Sequence, residues 1–195
     1  MTTRHLHREQ RGFTLIEVMV TIGILGVVLA VLTTVLLSST RQSGETAKRA
    51  DAQGASRQAM SLMTTELRQA GADPSIPPVG VLAIVSGDSV NIRVRSDLDG
   101  DGVIETAEPS EDVTYSYVDS TGVLSRNPGA GAAALISNVT DMRLTYYAVD
   151  GSVISALPLS TTDAARVTSI DVALTVAEDG QQPVTITNRV NLRNR

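Results

Sequence analysis

The chain has 195 residues, 42% hydrophobic and 19% charged, and its 16 basic against 21 acidic side chains give a formal net charge of −5. That balance argues against nucleic acid as a partner, because phosphate binding needs clustered Lys and Arg. Cysteine is absent and both histidines, His5 and His7, stand near the start, so the rest of the chain lacks disulfides, thiolate or imidazole catalysis and the usual zinc ligands, which argues against an enzyme.

The leader "MTTRHLHREQRG", residues 1–12, sets Arg4, Arg8 and Arg11 against Glu9; without it the formal net charge falls to −7. Residues 13–37 follow as an apolar run, with no charged side chain from Val18 to Leu37. At ~1.5 Å per residue a helix of this length covers a ~30 Å hydrocarbon layer, so a single membrane span is predicted. The basic leader stays cytoplasmic and the C-terminal bulk crosses, by the positive-inside tendency. A secretory signal places small residues after a core of ~7 to 15 residues. Here Gly12 stands before the core instead. Glu17 is the lone acid, and a carboxylate in hydrocarbon costs roughly 2.5 to 3.5 kcal/mol unless it finds a partner.

The stretch "RGFTLIEVMVTIGIL" resembles the class III signal of type IV prepilins and type II secretion pseudopilins. The resemblance implies that a membrane prepilin peptidase cuts after Gly12 and methylates the new N-terminus, Phe13. It also implies a partner for Glu17: the N-methylated ammonium of Phe13, from the same chain or a neighbour. Gly23 and Gly26 suit close helix contact or are simply tolerated.

Residues 38–71 read as a continuation of the helix, amphipathic and directed into the globular part. Ala52, Ala55, Ala59, Met63, Leu67 and Ala70 recur at three- and four-residue spacing, with Arg49, Asp51, Gln53, Arg57, Gln58 and Arg68 on the other side. Gly71 supplies the stop signal. From residue 72 to 195 the pattern changes to short β-like runs: "VGVLAIV", "SVNIRVR", "DVTYSYV", "MRLTYYAV", "VTSIDVALTV" and "VTITNRVNL". Turn-prone "VDSTG", "VDGS" and "EDGQQP" favour antiparallel hairpins. "NPGAGAAALISN" reads as a flexible connection followed by a helical turn or a strand.

Between the second and third runs stands "DLDGDGVIETAE", residues 97–108, which fits the calcium-loop pattern D-x-[DN]-x-[DN]-G-x5-E. Asp97, Asp99, Asp101 and Glu108 take the side-chain ligand positions, Gly102 the sharp turn, Val103 offers its backbone carbonyl, and Glu105 acts directly or through water. The flanking segments read as strand and break rather than paired helices, so the expected site is one calcium loop on a β scaffold. The alternative is an acidic turn in which Asp and Gly serve turn chemistry only.

"RQAMSLMTTELRQAG", "ARVTSIDVALTV" and "RVNLRNR" resemble the PilW group of minor pilins, relatives of the J-type minor pseudopilins. That likeness implies an α+β pilin fold, a long N-terminal helix packed on an antiparallel β-sheet. It also implies a minor pilin that takes part in priming, assembly or tip structure of a type IV pilus. Implied partners are prepilin peptidase, other minor pilins, the major pilin, the inner-membrane assembly platform and a tip adhesin. The implied location is the bacterial inner membrane, N-in with a periplasmic head, and then the pilus. Two alternatives stay open: a J-type minor pseudopilin, or a calcium-dependent adhesin on a pilin stem. No organic cofactor is expected.

Overall fold

The computed structural model describes residues 12–106, 111–177 and 182–194. Most of the leader, residues 1–11, and the predicted ligand Glu108 lie outside the described residues. Two units divide the chain, the first ending at Thr46 and the second beginning at Ala47.

In the first unit helix α1 (Leu15–Gln69) begins. The Glu17 N–H donates to the Thr14 carbonyl at 3.1 Å and to the Thr14 hydroxyl at 3.4 Å, and a Glu three residues after a Thr is capping-box spacing. The helix therefore starts after Thr14 rather than at Phe13. From Leu15 to Leu37 every side chain is exposed, and α1 is long and apolar enough to cross a membrane. Its hydroxyls bond within the helix: Thr21 donates to the Val18 carbonyl at 2.8 Å and Thr33 to the Leu29 carbonyl at 2.7 Å. A polar group satisfied in this way suits a lipid surrounding.

In the second unit the rest of α1 buries Ser56, Ala59, Met60, Met63, Thr64 and Leu67. The predicted stripe holds from Ala59 onward, but Ala55 is exposed and Ala52 only half-buried. Ser56 takes the buried position instead, its hydroxyl satisfied by the Ala52 carbonyl at 2.6 Å. Gly71 ends the helix at φ +78°, and its N–H donates to the Arg95 carbonyl at 2.7 Å. A Cβ there would lie 1.8 Å from the Asn194 carbonyl oxygen, so only glycine fits.

The remaining strands form two antiparallel sheets instead of the one predicted. The first is a meander of β1 (Ile84–Gly87), β2 (Asn91–Arg95), β3 (Asp112–Val118), β4 (Val123–Asn127) and β5 (Ala133–Ile136). The second comprises β6 (Val139–Ala148), β7 (Val153–Ile154), β8 (Val167–Val176) and β9 (Val184–Asn191), in the order β7-β6-β8-β9. Asn138, at φ +62°, makes the turn from β5 into β6 where the chain changes sheet. The run "VGVLAIV" becomes strand only from Ile84. Its earlier N–H groups at Gly80 and Val81 donate to the Asp73 carboxylate, at 2.7 and 3.4 Å, and so are lost to a ladder. β4, β7 and the short helix α2 (Thr161–Arg166) were not predicted, and β5 settles the small-residue stretch as a strand.

One core joins α1 to both sheets. Ala59, Met63 and Leu67 cluster with Ile92, Val94, Tyr115 and Leu124 of the first sheet and with Leu144, Ile170, Val172 and Val190 of the second. Fully burying one such Leu, Ile or Val contributes roughly 1.5 to 3 kcal/mol. A polar tie crosses the same layer. Glu66 of α1 accepts from the Tyr115 hydroxyl and from Arg126 Nε at 3.0 Å, with Arg126 Nη2 at 2.8 Å.

Candidate functional site

Two sequence-predicted sites lie in different units. At the start of α1, Phe13 is exposed ahead of the Thr14 cap, and Glu17 occupies the first turn. The positive end of the helix dipole is the favourable place for that negative charge. Glu17 is exposed, so its carboxylate is accessible to an ammonium group.

The acidic loop in the second unit is built on a hairpin. Arg95 of β2 pairs with Asp112 of β3, and the Ser96 N–H donates to the Glu111 carbonyl at 2.9 Å. The Asp112 carboxylate accepts from Arg93 at 2.7 Å and Arg95 at 2.8 Å, closing the hairpin base. On the other side the Asp97 N–H donates to the Ala72 carbonyl at 2.7 Å, fastening the loop to the segment that follows α1.

Inside this frame the carboxylates order the backbone. Asp97, fully buried, accepts from the Gly100 N–H at 2.6 Å and the Gly102 N–H at 3.0 Å. Asp99 accepts from the Asp101 N–H at 3.1 Å, and Asp101 from the Val103 N–H at 2.7 Å. Gly102 adopts φ +80°, as the sharp turn of the pattern requires.

Carboxylate oxygens of Asp97, Asp99 and Glu111 lie within 4.8 Å of one another, and those of Asp99, Asp101 and Glu105 form a second such group. Four of the predicted side chains therefore come together: Asp97, Asp99, Asp101 and Glu105. Asp99 is common to both groups. The Val103 side chain is exposed. Glu111 was missed by the sequence reading, yet it is almost fully buried and accepts from the Leu98 and Glu105 N–H groups. Counting across the hairpin from Ser96, rather than along the loop, would have found it.

Crowding perturbs the acids. A hydrogen bond with Glu111, then burial and the nearby charges of Asp101 and Glu111, pushes Glu105 up to about 7. Burial works against ionised Glu111, but hydrogen bonds from Glu105 and the Leu98 N–H outweigh it and hold Glu111 below the usual carboxylate range. The donor set is all oxygen, the chemistry that hard divalent cations such as calcium prefer. Asp97, Asp99, Asp101, Glu105 and Glu111 are the described residues that would hold such an ion.

Residues 7–33 match the model of the prokaryotic N-terminal methylation motif, a span that includes Gly12, Phe13 and Glu17. No curated protein matches the chain. The motif implies processing by a prepilin peptidase and points to a structural, pilin-like or pseudopilin-like protein. With α1 and its antiparallel sheets the architecture is α+β and pilin-like, and the chain carries a type IV pilin-like class III signal.

Proposed function

We propose that this chain is a minor pilin of a type IV pilus, most like the PilW group. It is cut after Gly12, N-methylated at Phe13, held in the inner membrane by α1, and assembled with other pilins in the priming or tip structure of the filament. The observation that carries this reading is the methylation motif leading into an apolar helix whose first turn contains Glu17. In the assembled state Glu17 neutralises the Phe13 ammonium of the same or an adjacent subunit, which offsets the cost of a carboxylate in hydrocarbon. Mass spectrometry of the mature protein tests the processing step: an N-methylated Phe13 is expected, and an intact leader in assembled filaments overturns it. Deleting the gene tests the assignment. Loss of pili with secretion intact supports the minor pilin; a secretion defect with intact pili makes the chain a J-type pseudopilin.

We further propose that the acidic loop binds one calcium ion through Asp97, Asp99, Asp101, Glu105 and Glu111, with the Val103 carbonyl and Glu108 as further ligands. Two groups of three carboxylates that share Asp99 support it. Calcium up to millimolar concentration should raise the melting temperature of the protein, and equal magnesium should do so far less. An equal response to both ions, or none, leaves an acidic turn and removes the main support for a calcium-dependent adhesin.

A further inference from the structure

The bond expected to be cut, Gly12–Phe13, stands just ahead of α1, and the chain itself keeps it outside the helix. Gly12, Phe13 and Thr14 are exposed and non-helical, and the helix begins at Leu15. Thr14 sets that start in two ways. Its carbonyl accepts from the Val18 N–H at 3.2 Å, the first bond of the full helical turn. Its hydroxyl accepts from the Glu17 N–H at 3.4 Å, one of the donors left over at a helix N-terminus. Among the described residues nothing bonds to the Gly12 or Phe13 carbonyl. The carbonyl of the bond to be cut is therefore unengaged.

A rival start exists two residues upstream. Glycine is about as good an N-cap as threonine, whereas valine, alanine and leucine are poor ones. Gly12 has no left-handed φ, and a Cβ there would meet nothing within 4 Å, so neither strain nor packing keeps it from capping. With Gly12 as cap, its carbonyl would accept from the Ile16 N–H, four residues on, and Phe13 would become the first helical residue. The bond to be cut would then be tied into the helix end. Such a carbonyl has to give up its hydrogen bond, and its neighbour the helical backbone, before an enzyme's cleft can take it.

We propose that Thr14 is a positioning residue for leader removal: its cap fixes the helix start beyond Phe13 and holds the Gly12 carbonyl open to attack. The inference rests on the reading that the chain is cut after Gly12. In that hydrolysis the oxygen of water joins the Gly12 carbonyl carbon, the C–N bond to Phe13 breaks, and Phe13 leaves with a free amine. The Thr14 hydroxyl enters none of these bonds and acts through the helix start.

The rate at which the full chain in detergent loses its leader to a purified prepilin peptidase tests this. Thr14→Val keeps the shape of the side chain and removes its hydroxyl, so the start shifts toward Gly12 and cleavage should slow about five-fold. Thr14→Ser, an equal or better cap, should stay within about two-fold of wild type. Adding Leu15→Pro to Thr14→Val should restore the rate, because proline suits the first helical position and bars the residue before it from helical backbone. Hydrogen exchange reads the same shift: the Ile16 amide has no acceptor in the wild type and should exchange about five-fold more slowly in Thr14→Val. A wild type that is cut, with Thr14→Val cut equally fast, overturns the inference and leaves the processing reading standing. Thr14→Ser as slow as Thr14→Val overturns it too. A slow Thr14→Val that Leu15→Pro does not rescue makes the hydroxyl a contact of the peptidase and removes the positioning role. A wild type that is never cut sinks the processing reading, and this inference with it.

Discussion

Glu17, Glu111 and Asp171 each hold a carboxylate where its surroundings decide what the charge does. Glu17 sits in the first turn of α1 behind the Thr14 cap. Glu17→Ala should leave membrane insertion and leader cleavage intact while lowering the amount of protein recovered in sheared filaments; undiminished recovery would remove its assembly role. Glu111 is buried against the acidic loop, so Glu111→Gln should abolish the calcium-dependent gain in melting temperature, more completely than Glu105→Gln. Equal gains in wild type and Glu111→Gln would exclude it as a ligand. The calcium-loop template counts along the chain and therefore ends at Glu108, whereas Glu111, the residue before β3, is brought in by the hairpin closure at Ser96. Asp171 is held below its ordinary value of 3.8, first by hydrogen bonding to Arg189 and then, against burial, by Tyr147. Its contribution is therefore fully present above the unfolded value and lost as pH falls through the lower folded one. Melting curves of wild type and Asp171→Asn should differ by a constant amount from about pH 7 to 5 and converge below about pH 4. A gap that persists at pH 2 would show that the pair is not its source.

α1 and the strands differ in how plainly they are written. The helix stop at Gly71 and the buried positions Ala59, Met63 and Leu67 follow from spacing alone. Leu67 is fully buried, so Leu67→Ala should destabilise the second unit by roughly 2 to 5 kcal/mol, read from thermal unfolding of the full chain in detergent. A loss below about 1 kcal/mol would mean that the site collapses around the smaller side chain. Glu66→Ala should cost roughly 1 to 3 kcal/mol, because it takes away the acceptor of the fully buried Tyr115 hydroxyl and removes one ion pair of Arg126. That tie also explains why β4 was illegible. Arg126 points inward beside Leu124, so "VLSRN" shows no apolar alternation. α2 was hidden differently: its Ser160 cap and six residues run straight into β8, and the turn is too short to show a helical period. β7 is only two residues and pairs with β6 at Tyr146 and Tyr147.

The whole chain follows a simple polarity: lipid-compatible surface first, packed core second. The apolar run was legible because no membrane-length helix can hide its composition. The division of the strands into two sheets was not, since both sheets use the same two-residue alternation and only the Asn138 turn separates them. One consequence concerns force. Any load carried along α1 into the second unit is received by side chains from Ser56 to Ala70 and by the bonds of Glu66 to β3 and β4. Contacts spread along a helix flank share such a load and yield together, whereas contacts at its tip would break singly. In single-molecule pulling from Ala47, Glu66→Ala should therefore lower the rupture force as one cooperative event. The Glu66 tie is then an anchor that transmits tension to the β layer.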